Sequence, residues 1–159
     1  MTQITVISVG TLKEDYLKEG VLEYKKRLSQ FARVDEINIK EERIHNESDT
    51  AEIASALMRE GEKILSAIPK DSYRIALCIE GRQFSSEELA KKLLDACDTR
   101  GRITLIIGSS HGMSQAVKDA CELKLSFSKM TFPHQLMRVM LFEALYRSFA
   151  INANKSYHK

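Results

Sequence analysis

The sequence of 159 residues lacks tryptophan, has only two prolines and three cysteines, and carries a formal net charge of only +2. An odd number of widely spaced cysteines (Cys78, Cys97 and Cys121) indicates neither a disulfide framework nor a zinc site, so free, buried thiols are expected. The four histidines lie on separate segments, without a partner at metal-ligand spacing, and no metal is expected. No apolar run reaches the roughly 18 residues of a membrane span, which predicts a soluble protein without a membrane partner.

The chain also lacks repeats, linkers and low-complexity segments, and its length suits a single domain over residues 1–159. Its first residues have neither the basic flank nor the small-residue cleavage site of a secretory signal, and they follow the apolar pattern of a strand. A cytoplasmic location is therefore expected.

Positive charge is scarce overall but is concentrated at the C-terminal end. Residues 129–159 contain five Lys or Arg and one acidic residue, Glu143, which leaves the preceding residues with a small net negative charge. Such asymmetry is typical of a protein with a polyanionic partner, although five charges can equally solvate a surface helix.

Along the chain, segments with the two-residue apolar period of a strand alternate with segments that have the 3.6-residue period of a helix. Five strands are predicted, at residues 4–9, 34–40, 73–79, 103–107 and 123–127. A β-α alternation of this kind indicates an α/β fold with a mainly parallel sheet and helices on both faces.

Capping signals mark the expected helix starts. Asp49 with Glu52, and Ser85 with Glu88, each fit a capping box, in which two side chains satisfy backbone N–H groups of the first turn. Gly81 is expected to end the third strand, since it follows a nearly continuous apolar run.

The last predicted helix, from Pro133 to about residue 152, is apolar on nearly every side. Pro133 suits the first helical position, with Thr131 as the cap. Packing on one sheet cannot bury every apolar side chain of such a helix, and monomers rarely leave large apolar patches exposed. A homodimer built around this helix is therefore expected, and simple exposure of the extra apolar residues is the alternative.

The turn before this helix is a candidate binding loop. It follows the fifth strand and carries three hydroxyls, those of Ser126, Ser128 and Thr131. Turns at the carboxyl ends of strands, with free backbone N–H groups, are where open α/β sheets bind small ligands.

A second candidate loop, residues 108–112, follows the fourth strand with the sequence Gly-Ser-Ser-His-Gly. It fits a loop that accommodates the adenosine or phosphate of a ligand, or a purely structural turn. It also fits the nucleophile elbow of a hydrolase, with Ser110 as the nucleophile. In an elbow the helix begins directly after the serine, whereas a cap at Ser114 starts it about four residues later, which argues against a hydrolase.

Four segments carry a resemblance to one family: Val9 to Lys13, Ile107 to Gly112, Leu125 to His134, and the terminal Tyr157-His158-Lys159. Together they resemble the RlmH family of ribosomal RNA large subunit methyltransferases, which belongs to the SPOUT superfamily, over the whole chain. The resemblance implies a C-terminal trefoil knot, an exception to unknotted topology, and a homodimer. It further implies S-adenosylmethionine as cofactor and methylation of N3 of pseudouridine 1915, in the helix 69 loop of 23S rRNA.

The resemblance also assigns site residues by position. The cofactor pocket would be formed by Leu77, Gly108, Phe127, Ser128, Lys129, Met130, Thr131 and Phe132. Two departures from the family pattern affect its details: Ser109 replaces a glycine, and Asn154 with Lys155 replaces an Arg-Gly pair before the tail.

For catalysis, N3 of a uracil-type base is only weakly acidic, so a proton acceptor or support for the anion is needed. The hypothesis is that His158 accepts the N3 proton or supports the anion, and that Tyr157 packs on the base. Arg138 would hold phosphate or support the dimer site. His134 is expected to cap the helix or line the pocket. A non-catalytic RNA-binding or ribosome-associated dimer is the alternative function, and whether naked rRNA or assembled ribosomes are the substrate stays open.

Overall fold

The structure, a computed structural model, describes residues 1–158, so Lys159 lies outside the described residues. Within that range the chain alternates between five strands and five helices. The strands are β1 (Thr2–Val9), β2 (Ala32–Ile39), β3 (Tyr73–Gln83), β4 (Arg102–Ile107) and β5 (Leu123–Ser126). The helices are α1 (Asp15–Leu28), α2 (Thr50–Ala67), α3 (Ser86–Arg100), α4 (Gln115–Asp119) and α5 (His134–Asn152).

The five strands form one sheet in the order β2-β1-β4-β3-β5, and each neighbouring pair is parallel. Alternate residues of each strand face opposite sides of a sheet, and two separate apolar clusters follow from this. One cluster joins Ile4 and Val6 of β1 to α1, α3 and α5, and the other joins Ile7 and Val9 to α2 and α4. The predicted parallel α/β sheet with helices on both faces is confirmed.

The two predicted capping boxes differ in outcome. At α3 the box is complete: the Ser85 hydroxyl accepts from the Glu88 N–H at 3.1 Å, and Glu88 accepts from the Ser85 N–H at 2.7 Å. At α2 the Asp49 carboxylate caps the helix, but Glu52 bonds to backbone N–H groups of the preceding loop, at residues 45 and 46. The box at Asp49 is therefore wrong, because Glu52 anchors a loop that sequence spacing does not reveal.

The expectation that β3 ends at Gly81 is also wrong. β3 continues to Gln83, and its pairing with β5 shifts register between Leu77 and Arg82. A Cβ atom on Gly81 would lie 2.7 Å from the backbone carbonyl of Lys124 in β5. The glycine is thus needed for the close passage of two strands rather than for a strand end.

The start of α5 differs from the expected proline-in-first-turn arrangement. Pro133 is the N-cap residue, its carbonyl accepts from the Met137 N–H at 3.0 Å, and no side chain caps the helix. The prediction of Thr131 as the cap is wrong, since the chain is still extended at Pro133 and turns helical only after it.

The apolar surface of α5 is covered on several sides. It packs against the sheet and between α1 and α3, and Gly20 of α1 allows Val139 to approach closely. Leu141, Phe142 and Leu145 are fully buried, but Leu136 at its start is 36% exposed. The trefoil knot and the homodimer stay predictions.

The three cysteines are free and partly buried, which confirms the expectation of free thiols. Burial raises the pKa of all three, and that of Cys121 to about 11. In residues 1–158, no helix is both long and apolar enough to cross a membrane.

Removing the largest buried side chain should test this core. Phe142 is fully buried where α5 meets the sheet, so Phe142→Ala is expected to lower the free energy of unfolding by about 3 to 5 kcal/mol. The control is Met58→Ala on α2, where the side chain is 62% exposed and the expected change is below about 0.5 kcal/mol. Urea unfolding monitored by circular dichroism measures both, and equal effects would contradict this core.

Candidate active site

A cavity of about 730 Å³ opens at the carboxyl ends of β4 and β5, beside residues 77–80 within β3. We call it the donor cavity, after the methyl donor that the resemblance leads us to expect there. Its walls are residues 77–80, 107–113, 125–128 and 130–134, with Lys118 and Met137. The structure therefore brings together the two loops and the strand end selected from the sequence. Of the expected cofactor residues, Leu77, Gly108, Phe127, Ser128, Met130, Thr131 and Phe132 line the cavity, whereas Lys129 does not.

The loop after β4 is closed by its own backbone. Ser109 and Gly112 exchange two backbone hydrogen bonds, of 3.0 and 2.9 Å. A Cβ atom on Gly108 would lie 2.2 Å from the Gly112 carbonyl oxygen, so only glycine fits there. The Ser109 hydroxyl accepts from the His111 N–H at 3.2 Å. The serine that stands at position 109 in place of the family's glycine thus adds a hydrogen bond within this loop.

The hydrolase interpretation of Ser110 finds no support in this geometry. α4 begins at Gln115, several residues after the serine, and its cap is Ser114, as expected. Within residues 1–158, Ser110 makes no hydrogen bond to a histidine. A serine nucleophile needs such a base within hydrogen-bonding reach.

The turn after β5 uses two of its three hydroxyls to hold its own shape. The Ser126 hydroxyl donates to the Ser128 carbonyl at 3.1 Å, and the Ser128 hydroxyl accepts from the Met130 N–H at 3.0 Å. Thr131 is exposed on the cavity wall. Two hydrogen bonds of its own thus hold the turn in shape.

Two polar side-chain pairs lie at the edge of the donor cavity, and the sequence did not predict them. Lys118 of α4 bonds to Glu80 after the apolar part of β3, and this bond lowers the pKa of the Glu80 carboxyl. His111 Nε2 lies 2.7 Å from a carboxylate oxygen of Glu47, in the loop between β2 and α2. Both pairs join segments far apart in sequence, so no local pattern predicts them. Residues 1–158 contain no group of three or more His, Cys, Asp or Glu arranged to hold a metal ion.

The expected catalytic tail lies elsewhere, against the C-terminal half of α5. The Tyr157 hydroxyl donates to Glu143 at 3.1 Å, and the Arg147 guanidinium lies 4.8 Å from the centre of the Tyr157 ring. Burial, with hydrogen bonds to Tyr24 and Glu143, raises the pKa of Tyr157. Since α5 rises 1.5 Å per residue, Arg147 lies about 20 Å along the helix from His134 at the donor cavity.

Both ring nitrogens of His158 are occupied in this arrangement. Nδ1 lies 3.1 Å from Arg147 Nη1, and Nε2 lies 2.7 Å from Glu87 Oε1. An arginine can only donate, so Nδ1 is the acceptor and Nε2–H donates to Glu87. In this arrangement Arg147 and Glu87 therefore hold the His158 ring from both sides.

Arg138, the third expected catalytic residue, is buried with 2% of its surface exposed. Its guanidinium donates to Asn38 Oδ1 at 3.3 Å and to the Gly10 carbonyl at 3.1 Å. It does not line the donor cavity. Arg138 instead holds the carboxyl ends of β1 and β2 together.

Comparison with known proteins decides the family. The family model described as Predicted SPOUT methyltransferase matches residues 2–158. The chain belongs to this family. It is therefore an enzyme of the methyl-transferring class.

Two relatives extend over nearly the whole chain. A protein of Shouchella clausii (strain KSM-K16) named ribosomal RNA large subunit methyltransferase H is 49% identical over 158 residues, which cover 98% of this chain and 99% of the relative. A protein of the same name from Exiguobacterium sp. (strain ATCC BAA-1283 / AT1b) is 46% identical, with the same coverage of both chains.

A methyl group at position 108 should strain the loop of this SPOUT methyltransferase. Because the new Cβ would collide with the Gly112 carbonyl, Gly108→Ala is expected to lower the free energy of unfolding by about 1 to 3 kcal/mol. Ser110→Ala, in an exposed position of the same loop, is the control, with an expected change below about 0.5 kcal/mol. Chemical denaturation measures both, and a fully stable Gly108→Ala protein would contradict the closed loop.

Proposed function

We propose that this SPOUT methyltransferase transfers the methyl group of S-adenosylmethionine to large-subunit ribosomal RNA, at N3 of pseudouridine 1915 in the helix 69 loop. The observation that carries the proposal is the donor cavity, formed by the two loops that the sequence analysis assigns to the cofactor. The names of the relatives support the choice of rRNA as acceptor. A ribosomal substrate would also place the protein in the cytoplasm.

The residues of the donor cavity fit the proposed methyl donor. Leu77, Ile107, Leu125 and Phe127 give it apolar walls, which suit an adenine ring recognised mainly by shape. At Gly108 the backbone leaves room that a Cβ atom would fill. Lys118 and Glu80 at the rim offer charged partners for the polar end of such a molecule. When bound, the donor supplies a methyl group activated by its sulfonium.

The chain's part in the reaction is to position the acceptor and to remove its proton. N3 must approach in line with the methyl group, so rigid loops around the donor cavity contribute most through positioning. The tail offers His158 as proton acceptor and Tyr157 as a stacking surface. Glu143 and Arg147, one helical turn apart on α5, hold both tail residues by direct contacts. Their spacing was visible in the sequence, but only the structure connects it to the tail.

Separation of the tail from the donor cavity supports the proposed homodimer. The tail is held at Arg147, about 20 Å along α5 from His134 at the donor cavity, and a second copy is the simplest way to bring a cavity to it. Apolar side chains remain exposed on two helices that pack together: Tyr16 and Leu22 on α1 are 69% and 62% exposed, and Leu136 begins α5. We therefore place the dimer contact on α5, with α1 beside it, and the tail of one copy at the cavity of the other.

Methyl transfer from labelled S-adenosylmethionine tests the function directly. Naked rRNA, isolated large subunits and whole ribosomes are offered in parallel, and label is expected at one pseudouridine, most rapidly in the assembled ribosome. Isothermal titration with the donor accompanies the assay, because a non-catalytic RNA-binding dimer has no reason to bind it. Donor binding without label in any RNA would contradict the proposed acceptor.

Mixed dimers test whether the tail acts in trans. Leu77→Trp blocks the donor cavity in one subunit and His158→Ala removes the proposed base in the other, so each homodimer is expected to be inactive. If tails act in trans, each mixed dimer has one intact composite site, and an equal mixture regains about a quarter of the wild-type rate.

If tails act within one subunit, the mixture stays as inactive as its parents. Sedimentation equilibrium provides the necessary control, with an expected mass of twice the 18.1 kDa of the chain. A wild-type protein that sediments as a single chain would contradict the dimer itself.

A further inference from the structure

A second cavity, of about 570 Å³, lies at the carboxyl ends of β1 and β2. It adjoins the donor cavity, and the two share Ser110 and His134. Its lining is Gly10, Thr11, Lys13, Asn38, Ile39, Lys40, Glu41, Ser110, His134 and Gln135. A molecule bound in it would lie directly beside the donor. We call it the β1–β2 cavity.

A buried positive charge lies against this cavity. Arg138 is 98% buried, and it donates to Asn38 and to the Gly10 carbonyl, both of which line the cavity. Its partners are neutral, its Nε–H has no acceptor, and within residues 1–158 no carboxylate forms an ion pair with it. Burial lowers the pKa of Arg138 and the charge of Glu36 opposes this, but Glu36 is itself paired with Lys25 at 2.9 Å. Buried charges are normally paired, because leaving one unpaired is costly. An anion in the β1–β2 cavity would supply the missing countercharge.

Two lysines on the wall add to this positive charge. Lys13 and Lys40 line the cavity and are exposed, and in the described part of the chain neither ammonium forms an ion pair. Glu41 contributes one opposing carboxylate. Burial lowers the pKa of His134, Arg138 and Lys13 lower it further, and Glu41 opposes them, so the imidazole is mainly neutral at pH 7. Positive charge is therefore in excess around the cavity.

We propose that the β1–β2 cavity holds a phosphodiester group of the RNA strand next to the methylated nucleotide. Lys13 and Lys40 serve as point charges for its oxygens, as lysines commonly do for phosphate. Arg138 is a positioning residue: it holds Asn38 and Gly10 in the cavity wall, and its buried positive charge attracts the phosphate from behind that wall. The inference rests on the proposed function, since it assumes an RNA acceptor at the donor cavity. The carboxylate of the methyl donor is the competing anion.

The test removes the two lysine charges at the cavity and compares the result with the removal of two positive charges elsewhere on the protein. The cavity variant is Lys13→Gln with Lys40→Gln. The control variant is Lys70→Gln with Arg102→Gln, because both residues are exposed and lie at the amino ends of β3 and β4, across the sheet from both cavities. Three quantities are measured for each full-length protein: affinity for an rRNA fragment containing the helix 69 loop at several salt concentrations, affinity for S-adenosylmethionine, and the methylation rate.

The cavity variant is expected to bind the fragment several-fold more weakly, with a salt slope smaller by about 0.7 for each phosphate that the protein no longer neutralises. Its affinity for S-adenosylmethionine should equal that of the wild type, and the control variant should match the wild type in all three measurements. Equal RNA affinities and slopes for the two variants would overturn the inference. A loss of donor affinity with unchanged RNA binding would also overturn it, by assigning the anion to the donor. A wild-type protein that neither binds nor methylates rRNA would instead defeat the proposed function, and this inference with it.

Discussion

Parallel pairing of β3 with β4 on one side and with β5 on the other determines where the site of this protein lies. Parallel strands end at the same edge of a sheet, so the loops after β4 and β5 leave the sheet on the same side. Because β4 and β5 flank β3, the two loops lie close together on either side of it. Each loop is held by its own hydrogen bonds, at Ser109 and Gly112 in one and at Ser126 and Ser128 in the other. The donor cavity is the space between these two hydrogen-bonded loops.

The helix that leaves this cavity imposes the second constraint. α5 begins at the cavity with His134 and carries Glu143 and Arg147 far along its length, where they hold Tyr157 and His158. A straight helix cannot bring both of its ends to one point, so a tail docked at its far end is separated from the cavity of the same chain. If the tail acts on the acceptor from this position, as proposed, it acts at the cavity of a second copy.

Local signals in the sequence predicted the features that depend on few neighbours. The five strands, the box at Ser85 and the cap at Ser114 follow from periodicity and capping chemistry over a few residues. The two glycine- and hydroxyl-rich loops were recognisable as candidate binding loops, and both line one cavity. Features that depend on contacts outside the element were missed. Glu52 was expected to close a capping box but anchors the preceding loop at residues 45 and 46. Gly81 was expected to end a strand but lets β3 pass close to Lys124 of β5. In each case a partner outside the helix or strand determines what the residue does.

The central claim is that the loops after β4 and β5 bind the methyl donor between them. A crystal structure of the protein grown with S-adenosylmethionine tests this most directly. The account predicts electron density for the donor between Gly108 and the turn at residues 126–132, with the adenine against Leu77. Density for the donor at any other place, with this cavity filled by protein side chains, would contradict it.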